Sequence, residues 1–414
     1  MKEGFRQAMG WLHTWAGLVF GWVLFMIFVT GTLTVYEVEI THWMQPEARG
    51  TAATPHRALA VAEDYLRRHA AGAVEWAVDL PDDRNPVLGV HWHMPGVKEE
   101  VKKALDPATG VELFRRETDG GAFYNEMHYE LRAGRLGLWI VGLIGVALCV
   151  AIVTGIIVHK RIFKDFFTLR LGKGQRSWLD AHNLTGVMAL PFLAMIAYTG
   201  VSISTMVFVP AGAEMRYEGQ RGKARADVVQ RFRREPAGEP GGLLPFTAYY
   251  DRAIADIGLV GSLTVHHPGD TRSLVQLHRP TTDRLAAVGD HVTYDGPTGE
   301  RFGIQTDWNP YAYVARVLVG LHVVGFGGWM SQALYFLSGI AGCVLIASGQ
   351  VLFIAKRRDR PGAVNAGFLS FAERLNVAAI AGVMLACAGY LWANRLIPAD
   401  LPGRKPRPSV PALE

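Results

Sequence analysis

Five apolar runs, each long enough to cross a bilayer, constrain the fold of this chain more than any other feature. A transmembrane helix needs about 20 mainly apolar residues. The runs predict spans at residues 13–36, 128–158, 182–209, 311–355 and 375–397, the second and fourth of which begin with an interfacial stretch. The first run is longer than the apolar region of a signal peptide and no A-x-A site follows it, so we expect a retained helix. The chain is therefore predicted to be an α-helical membrane protein.

Lys and Arg residues near the span ends predict how the spans are oriented. They are concentrated in residues 1–12, 159–181 and 356–374, and such segments tend to stay in the cytoplasm. The long segments 37–127 and 210–310 would then face the opposite side, as would the tail 398–414. The whole chain has a net charge of only +5, from 42 basic and 37 acidic residues, which is too small to indicate nucleic acid as a partner.

The two long outer segments have the patterns of folded domains. Residues 57–70 and 246–257 have helical periodicity, and alternating runs such as 87–92 predict strands. Each segment also contains an Asp-x-x-Thr-Gly turn, at 106–110 in the first and at 295–299 in the second. We therefore expect two α+β domains outside the membrane.

The spans repeat at two fixed offsets. At an offset of 169 residues, the first span matches the third: His13, Gly17, Thr30 and Gly31 correspond to His182, Gly186, Thr199 and Gly200. At an offset of 194 residues, the second matches the fourth: His128, Gly145, Cys149 and Gly155 correspond to His322, Gly339, Cys343 and Gly349. The pattern predicts a duplicated unit of span, outer domain and span, with an unmatched fifth span.

Four histidines occupy repeat-related positions near the span ends. His13 and His182 would begin outward-going helices at the cytoplasmic face, whereas His128 and His322 precede inward-going helices at the outer face. Across a two-fold axis the members of each pair can meet from opposite sides, as two axial ligands of one haem iron must. The sequence therefore predicts two haem sites, one near each membrane face, with these histidines as iron ligands.

Four further residues are candidate haem contacts. Gly17 and Gly186 lie four residues after the inner histidines on the same helical face, where a side chain would occupy the space that a flat macrocycle needs. Arg132 and Arg135 follow His128 and could pair with haem propionates, although both are also typical interface anchors. The chain contains no CxxCH motif, so the haem would be the non-covalent b type.

A simpler interpretation of the same residues remains open. Histidines are common at membrane interfaces, and small residues help any helices to pack. His159 also ends a span, but its repeat mate is Phe353, so we interpret it as an interfacial residue or a reserve ligand. The pairs His91/His93 and His266/His267 are interpreted as solvated histidines rather than metal ligands.

The chain resembles the PepSY-associated transmembrane helix family. The resemblance rests on Trp11-Leu12-His13-x-x-x-Gly17 and on the two Asp-x-x-Thr-Gly segments, and it extends from about residue 6 to about residue 358. It implies periplasmic PepSY domains in a bacterial inner-membrane protein linked to iron uptake. Some members of the family are ferric-siderophore reductases in which two b haems relay electrons across the membrane.

Together the residues and the resemblance predict a di-haem b reductase, with its N-terminus in the cytoplasm. Electrons would enter from a cytoplasmic or quinol donor and leave to a periplasmic ferric siderophore, releasing Fe(II). Tyr124, Trp308 and Tyr311 could line the substrate cleft, although aromatic residues occur at any membrane interface. The alternative is a haem-free module in which PepSY domains bind a periplasmic ligand or protease.

Overall fold

Segments that are far apart in the sequence assemble into two units. The computed structural model describes residues 3–159, 167–208, 229–358, 364–399 and 401. The first unit, called here the helical unit, comprises Met1–Met44, Thr118–Pro210 and Leu318–Glu414. The second, called the sheet unit, comprises Gln45–Glu117 and Ala211–Val317. Each is described below by itself.

Helices account for most of the described residues. In chain order they are α1 (Glu3–Val19), α2 (Gly21–Thr34), α3 (Glu37–Met44), α4 (Pro55–His69), α5 (Ala122–Glu130), α6 (Gly134–Val158), α7 (Gln175–Met188), α8 (Leu190–Phe208), α9 (Phe246–Ile257), α10 (Pro310–Val323), α11 (Gly328–Arg358), α12 (Ala366–Val377) and α13 (Val383–Leu396). A π-helical turn, Ala378–Gly382, joins α12 to α13.

The helical unit contains the membrane spans. Within the described residues, three helices are long and apolar enough to cross a bilayer: Gly134–Val158, Gly328–Arg358 and Ala366–Leu396. Two bent pairs also qualify when each is taken as one span: Gly4–Val19 with Gly21–Thr34, and Gln175–Met188 with Leu190–Ser204. The helices therefore support the predicted membrane-helical class, with three to five candidate spans in the described residues.

The first and third spans are bent, which their apolar patterns did not indicate. Each starts before its predicted residue, and they bend by 62° and 66°. The third bends at Ala189, just before Pro191, whose missing N–H and bulky ring disrupt a helix. The first bends beside Gly21, where a Cβ would lie 2.6 Å from Nε2 of Gln350. Counting apolar residues measures the length of a span but cannot detect such bends.

Small residues bring the membrane helices close together. Helix α6 packs against α1 and α8, and α11 packs against α7 and α2. At the contact of α2 with α11, Gly339 faces the side chain of Thr32 and Gly342 faces Phe28. A side chain at either glycine would force the helices apart, in keeping with the use of small residues at membrane helix interfaces.

The sheet unit is built on one antiparallel sheet of seven strands. The strands are β1 (Glu75–Asp79), β2 (Leu88–His93), β3 (Val101–Leu105), β4 (Ser262–His266), β5 (Leu274–His278), β6 (His291–Asp295) and β7 (Arg301–Gln305). Their order is β3-β2-β1-β4-β5-β6-β7. Strands β1 and β4 pair with Trp76 opposite Val265, so the two outer segments share a sheet. The two predicted α+β domains are therefore replaced by one unit with a single sheet.

The core of the sheet unit lies between the sheet and helices α4 and α9. Both helices have the predicted amphipathic pattern, and Leu59 and Tyr249 on their inner faces are fully buried. They join a single apolar cluster with Trp76 and Leu277 from the strands. Burial of this cluster from both segments explains why they fold as one unit.

The two predicted Asp-x-x-Thr-Gly turns are present and have the same design. The Asp106 carboxylate accepts hydrogen bonds from the N–H and hydroxyl of Thr109, and Asp295 accepts the equivalent pair from Thr298. The glycines that follow have positive φ angles, 75° at Gly110 and 68° at Gly299, a conformation that favours glycine. The motif therefore specifies a turn.

Candidate functional site

The four repeat-related histidines lie in two pairs within the helical unit. The imidazole centres of His13 and His182 are 6.3 Å apart, with their planes at 72°. Those of His128 and His322 are 6.0 Å apart, with their planes at 30°. All four rings are partly buried. The structure thus brings together the two pairs that the repeat singled out, each formed by side chains from two different helices.

One nitrogen of each ring is fixed by a hydrogen bond. The Nδ1 atoms of three rings face main-chain carbonyl oxygens: His13 faces Ala151 at 3.0 Å, His128 faces Ile27 at 2.9 Å and His182 faces Leu345 at 2.9 Å. Nδ1 of His322 lies 3.0 Å from the hydroxyl of Thr199. Because a carbonyl can only accept, the proton of a neutral ring sits on Nδ1. Within the described residues no hydrogen bond engages Nε2 of these four rings, so Nε2 is available as a ligand atom.

A glycine of a neighbouring helix packs against each of the four imidazole rings. A Cβ built on Gly155 would be 3.1 Å from Cε1 of His13, and one on Gly349 would be 2.9 Å from Cε1 of His182. Gly31 and Gly200 have the same relation to the outer pair: a Cβ would lie 2.5 Å from Nδ1 of His128 and 2.9 Å from Cε1 of His322. Larger residues would displace the rings, so these glycines set how closely each imidazole approaches the neighbouring helix.

A single local motif supplies both the glycine and the hydrogen-bond partner, which is the carbonyl of the motif for three rings and its hydroxyl for His322. A carbonyl is followed three residues later by Thr or Ser and four residues later by Gly. The four copies are Ala151/Thr154/Gly155, Leu345/Ser348/Gly349, Ile27/Thr30/Gly31 and Ile196/Thr199/Gly200. The hydroxyl of Thr154 donates back to main-chain carbonyls of its own helix, and the other three do the same. The hydroxyls are thereby satisfied within the membrane helices.

The four glycines of these pairs were predicted as repeat positions. Their role as glycine seats, the glycines against which the histidine rings pack, was not predicted. A signal was present, because four of these dipeptides lie at repeat-related positions, Thr30-Gly31 with Thr199-Gly200 and Thr154-Gly155 with Ser348-Gly349, and there are four paired histidines. The link between a given dipeptide and its histidine depends on which helices are neighbours, and this was unknown before the structure.

The two pairs lie at different levels of the helical unit. On α6, Gly155 contacts His13, whereas Gly145 packs against Val201, the neighbour of the glycine that contacts His322. Gly145 and Gly155 are ten residues apart, which corresponds to about 15 Å along a helix. The equivalent glycines of α11 are spaced in the same way. Both levels therefore fit within the roughly 30 Å hydrocarbon core of a bilayer.

The candidate contact residues have different surroundings. No described heavy atom lies within 4 Å of a Cβ built on Gly17, whereas one on Gly186 would meet Leu345 Cδ1 at 3.2 Å. Arg132 pairs with Asp119 at 2.6 Å and Glu126 at 3.3 Å. These ion pairs hold the turn after α5, where Arg132 itself has a positive φ of 51°. Arg135 is exposed.

The three candidate cleft aromatics are not equivalent. Tyr124 is fully buried in the helical unit, where its hydroxyl donates to the carbonyl of Cys387 at 2.9 Å, so packing against the fifth span accounts for its position. Trp308 belongs to the sheet unit, and its indole N–H donates to Asp290 at 2.7 Å. Tyr311 is 81% exposed.

Two histidine pairs, His91/His93 and His266/His267, were expected to be solvated, and His159 was expected to be interfacial or a reserve ligand. His91 has acidic neighbours that the sequence did not indicate, Asp79 at 2.9 Å and Glu100 at 3.4 Å. Even so, no group of three or more His, Cys, Asp or Glu side chains suited to a metal ion occurs in the described part of the chain. Nδ1 of His159 is buried and has no hydrogen-bond partner among the described residues.

Comparison with known proteins places the chain in a family. A protein of Pseudomonas aeruginosa described as uncharacterized is 26% identical over 306 residues, which cover 67% of this chain and 74% of that protein. The family model described as the PepSY-associated TM region matches residues 10–356. This match covers all four paired histidines and their glycine seats. The chain therefore belongs to the PepSY-associated transmembrane family.

Proposed function

We propose that this protein is an inner-membrane di-haem b reductase that passes electrons across the membrane to a periplasmic ferric siderophore and releases Fe(II). The observation that carries the proposal is the presence of two histidine pairs at two levels of a membrane helix bundle. His13 and His182 would hold one haem, and His128 and His322 the other.

The spacing of each pair fits two ligands of one metal. A metal–imidazole bond is about 2 Å long, and the ring centre lies about 1 Å behind the nitrogen. Two rings bound from opposite sides therefore have centres about 6 Å apart, and the observed separations are 6.3 and 6.0 Å. The open position beside Gly17, where a Cβ would meet nothing within 4 Å among the described atoms, also suits a flat group on the first pair.

The tautomers of the four histidines also suit metal ligation through Nε2. Each Nδ1–H is directed to a carbonyl or hydroxyl oxygen, an arrangement that orients a ligating histidine and raises the basicity of its other nitrogen. When bound, haem supplies a one-electron Fe(III)/Fe(II) couple. The residues of the chain hold the ring planes, keep the proton on Nδ1 and, through the glycine seats, fix the position of each Nε2.

We further infer that the helical unit is a duplicated structure. His13 contacts Ala151 and Gly155 of α6, and His182 makes the same contacts with α11 at positions 194 residues later in the sequence. The bends of the first and third spans are 169 residues apart. The sheet unit would be the PepSY-like part, with one half of the sheet from each copy. By the positive-inside rule, the basic segments and the N-terminus would be cytoplasmic and the sheet unit periplasmic.

Ferric chelates are suitable substrates for such a relay. One electron converts Fe(III) into the softer Fe(II), which binds hard oxygen ligands less tightly. The donor would be a cytoplasmic reductant or a quinol of the membrane. Trp308 and Tyr311 remain candidates for the substrate cleft, and the membrane lipid surrounds the apolar helix faces.

The proposal can be tested by following electrons and iron in one sample. We expect the purified, reduced protein to be reoxidised anaerobically by a ferric siderophore, with Fe(II) captured by a ferrous-specific chelator. His13→Ala and His128→Ala should each lower the rate at least about tenfold, while the control His159→Ala should not. A colourless, folded protein that binds the siderophore without reducing it would instead support the haem-free binding module.

A further inference from the structure

The sheet unit contains a partly open cavity of about 300 Å³, and Trp308, one of the two remaining cleft candidates, is among its lining residues. It lies between β4, β5, β6 and the segment 229–234. Six basic or imidazole side chains contribute to its lining: Arg231, Arg233, Arg316, His266, His278 and His291. Such a concentration of cationic and imidazole groups around one concave space is what recognition of an anion requires.

The segment that carries two of these arginines is held firmly against the sheet. The N–H of Gln230 donates to the side-chain oxygen of Gln305 at 2.9 Å. The ring of Phe232 sits over Gly303, where any Cβ would clash with it. Arg234 donates to Asp295 at 2.5 Å. Anchors at alternate residues leave Arg231 and Arg233 between them, in fixed positions at the cavity wall.

Arg233 interacts electrostatically with Glu75, but the cavity arginines form no close ion pairs in the described part of the chain. Within the described residues, no Asp or Glu oxygen lies within 4 Å of the guanidinium groups of Arg231, Arg233 or Arg316, whereas the nearby acids are engaged elsewhere. Glu75 pairs with His266 at 2.9 Å. Asp290 accepts from Trp308 at 2.7 Å and pairs with Arg284 at 2.5 Å. The net charge facing the cavity is therefore positive.

The imidazoles of His291 and His278 differ in their hydrogen bonds. Both ring nitrogens of His291 are occupied, by the carbonyls of Gly289 at 3.1 Å and Gln230 at 3.0 Å. The ring of His278 lies 5.4 Å from that of His291, and among the described residues neither of its nitrogens makes a hydrogen bond. His278 is therefore placed to donate to, or accept from, a bound molecule.

We propose that this cavity binds a small anion with two or more carboxylates, either free or as its Fe(III) chelate. A guanidinium group presents a planar fork of donors that matches a carboxylate, and three arginines suit several carboxylates better than one. The volume is at the lower limit for ligand pockets, which favours a small polycarboxylate over a large macrocycle. The identification as a substrate site rests on the proposed reductase function, whereas the binding itself does not.

Calorimetric titration of the purified full-length protein with citrate, and separately with ferric citrate, tests the proposal. We expect saturable binding that weakens as ionic strength rises, because charged groups dominate it. Arg231→Gln and Arg316→Gln should each weaken binding by about tenfold or more, the loss of one charge-assisted interaction. The control Arg68→Gln removes an exposed arginine of α4 and should leave the affinity unchanged.

Two results would overturn the site: no saturable binding of either compound, or binding that is insensitive to salt and to both arginine substitutions. The absorption spectrum of the same samples separates this question from the function proposed above. A colourless protein that binds citrate would retain the cavity site and refute the reductase. Reduction of ferric citrate as fast in Arg231→Gln as in the wild type would refute the cavity as a substrate site.

Discussion

The imidazole of His182 lies directly against Gly349, so that a Cβ on this glycine would come within 2.9 Å of Cε1 of the ring. His13 has the same relation to Gly155, which precedes Gly349 by 194 residues in the sequence. In each case the carbonyl that fixes Nδ1 comes from the residue four positions before the glycine. Each histidine is therefore positioned by both a packing contact and a hydrogen bond to the neighbouring helix, and changing either the histidine or the glycine should alter the site.

The glycine seats can be tested by adding one methyl group. Gly349→Ala should displace His182 and lower the haem content of the purified protein towards one per chain, because a contact of 2.9 Å cannot be accommodated without movement. Gly389→Ala in the fifth span is the matched control, since a Cβ there meets no described atom within 4 Å. Equal haem contents in the two variants would contradict the account of the seat.

The hydroxyl of Thr199 should matter more than that of Thr30. It lies 3.0 Å from Nδ1 of His322 and shares that nitrogen with the Ile196 carbonyl, whereas His128 uses the Ile27 carbonyl. Thr199→Val should therefore weaken retention of the outer haem by about 10- to 100-fold, and Thr30→Val should have a smaller effect. Haem loss to an apo-globin acceptor measures both, and the reverse order would refute the assignment.

Asp106 should stabilise the sheet unit through its ionised form. Burial acts to raise the pKa of this carboxyl, but hydrogen bonds from Thr51 and Thr109 outweigh burial and hold the pKa well below its usual range. Because the folded pKa is the lower one, this stability is present above the unfolded pKa and is lost as the pH falls below it. Asp106→Asn should cost about 2 kcal/mol at neutral pH, measured by hydrogen exchange in β3. An unchanged exchange rate would contradict this role.

Acidification should also destabilise the sheet unit through His278. Burial, followed by repulsion from His291 and His266, lowers the pKa of His278 to about 4. The unfolded chain, with a pKa near 6.5, binds the proton more readily, so stability falls as the pH drops from about 6.5 to 4 and is complete above that window. The loss should reach no more than about 3 kcal/mol.

Hydrogen exchange in β5 at pH 7 and pH 5 measures this effect. In His278→Gln the difference in protection between the two pH values should be smaller than in the wild type, because the titrating group is gone. The exposed His56, which pairs with Asp251 at the surface, provides the control His56→Gln. A pH dependence unaltered by His278→Gln would refute the assignment.

The buried amide of Gln350 should lower the stability of the helical unit, and a substitution should remove this effect. Its side chain is 2% exposed, and neither Nε2 nor Oε1 has a hydrogen-bond partner among the described residues. Gln350→Met keeps the length of the side chain while removing both unsatisfied atoms, so we expect it to leave thermal stability unchanged or to increase it. A lower Tm would show that Gln350 has a partner in the membrane-embedded protein.

Much of the helical unit could be predicted because membrane spans and paired histidines leave direct marks in the sequence. A span must be about 20 residues long and apolar. A repeated His–Gly spacing can be recognised in the sequence without knowledge of the fold. The bends beside Gly21 and Pro191 were not predicted, because they depend on local backbone chemistry and on the approach of Gln350. The partners of His13 and His128 also depend on which helices are neighbours.

The sheet unit was predicted less completely. The alternating run at 87–92 indicated a strand, and β2 (Leu88–His93) confirms it. The pairing of Trp76 with Val265 was not predicted, because nothing local specifies a strand partner that is almost 190 residues away. The cavity with Arg231 and His278 was missed for the same reason: its lining residues come together only when the sheet forms.

The haem content of the purified wild-type protein tests the central claim most directly. Reduced-minus-oxidised absorption spectra, with haem quantified against protein, should give a b-type spectrum and a ratio near two, falling to about one in His13→Ala and in His128→Ala. A folded wild-type protein without haem, or one whose haem content is unchanged by both substitutions, would contradict the assignment of the two histidine pairs.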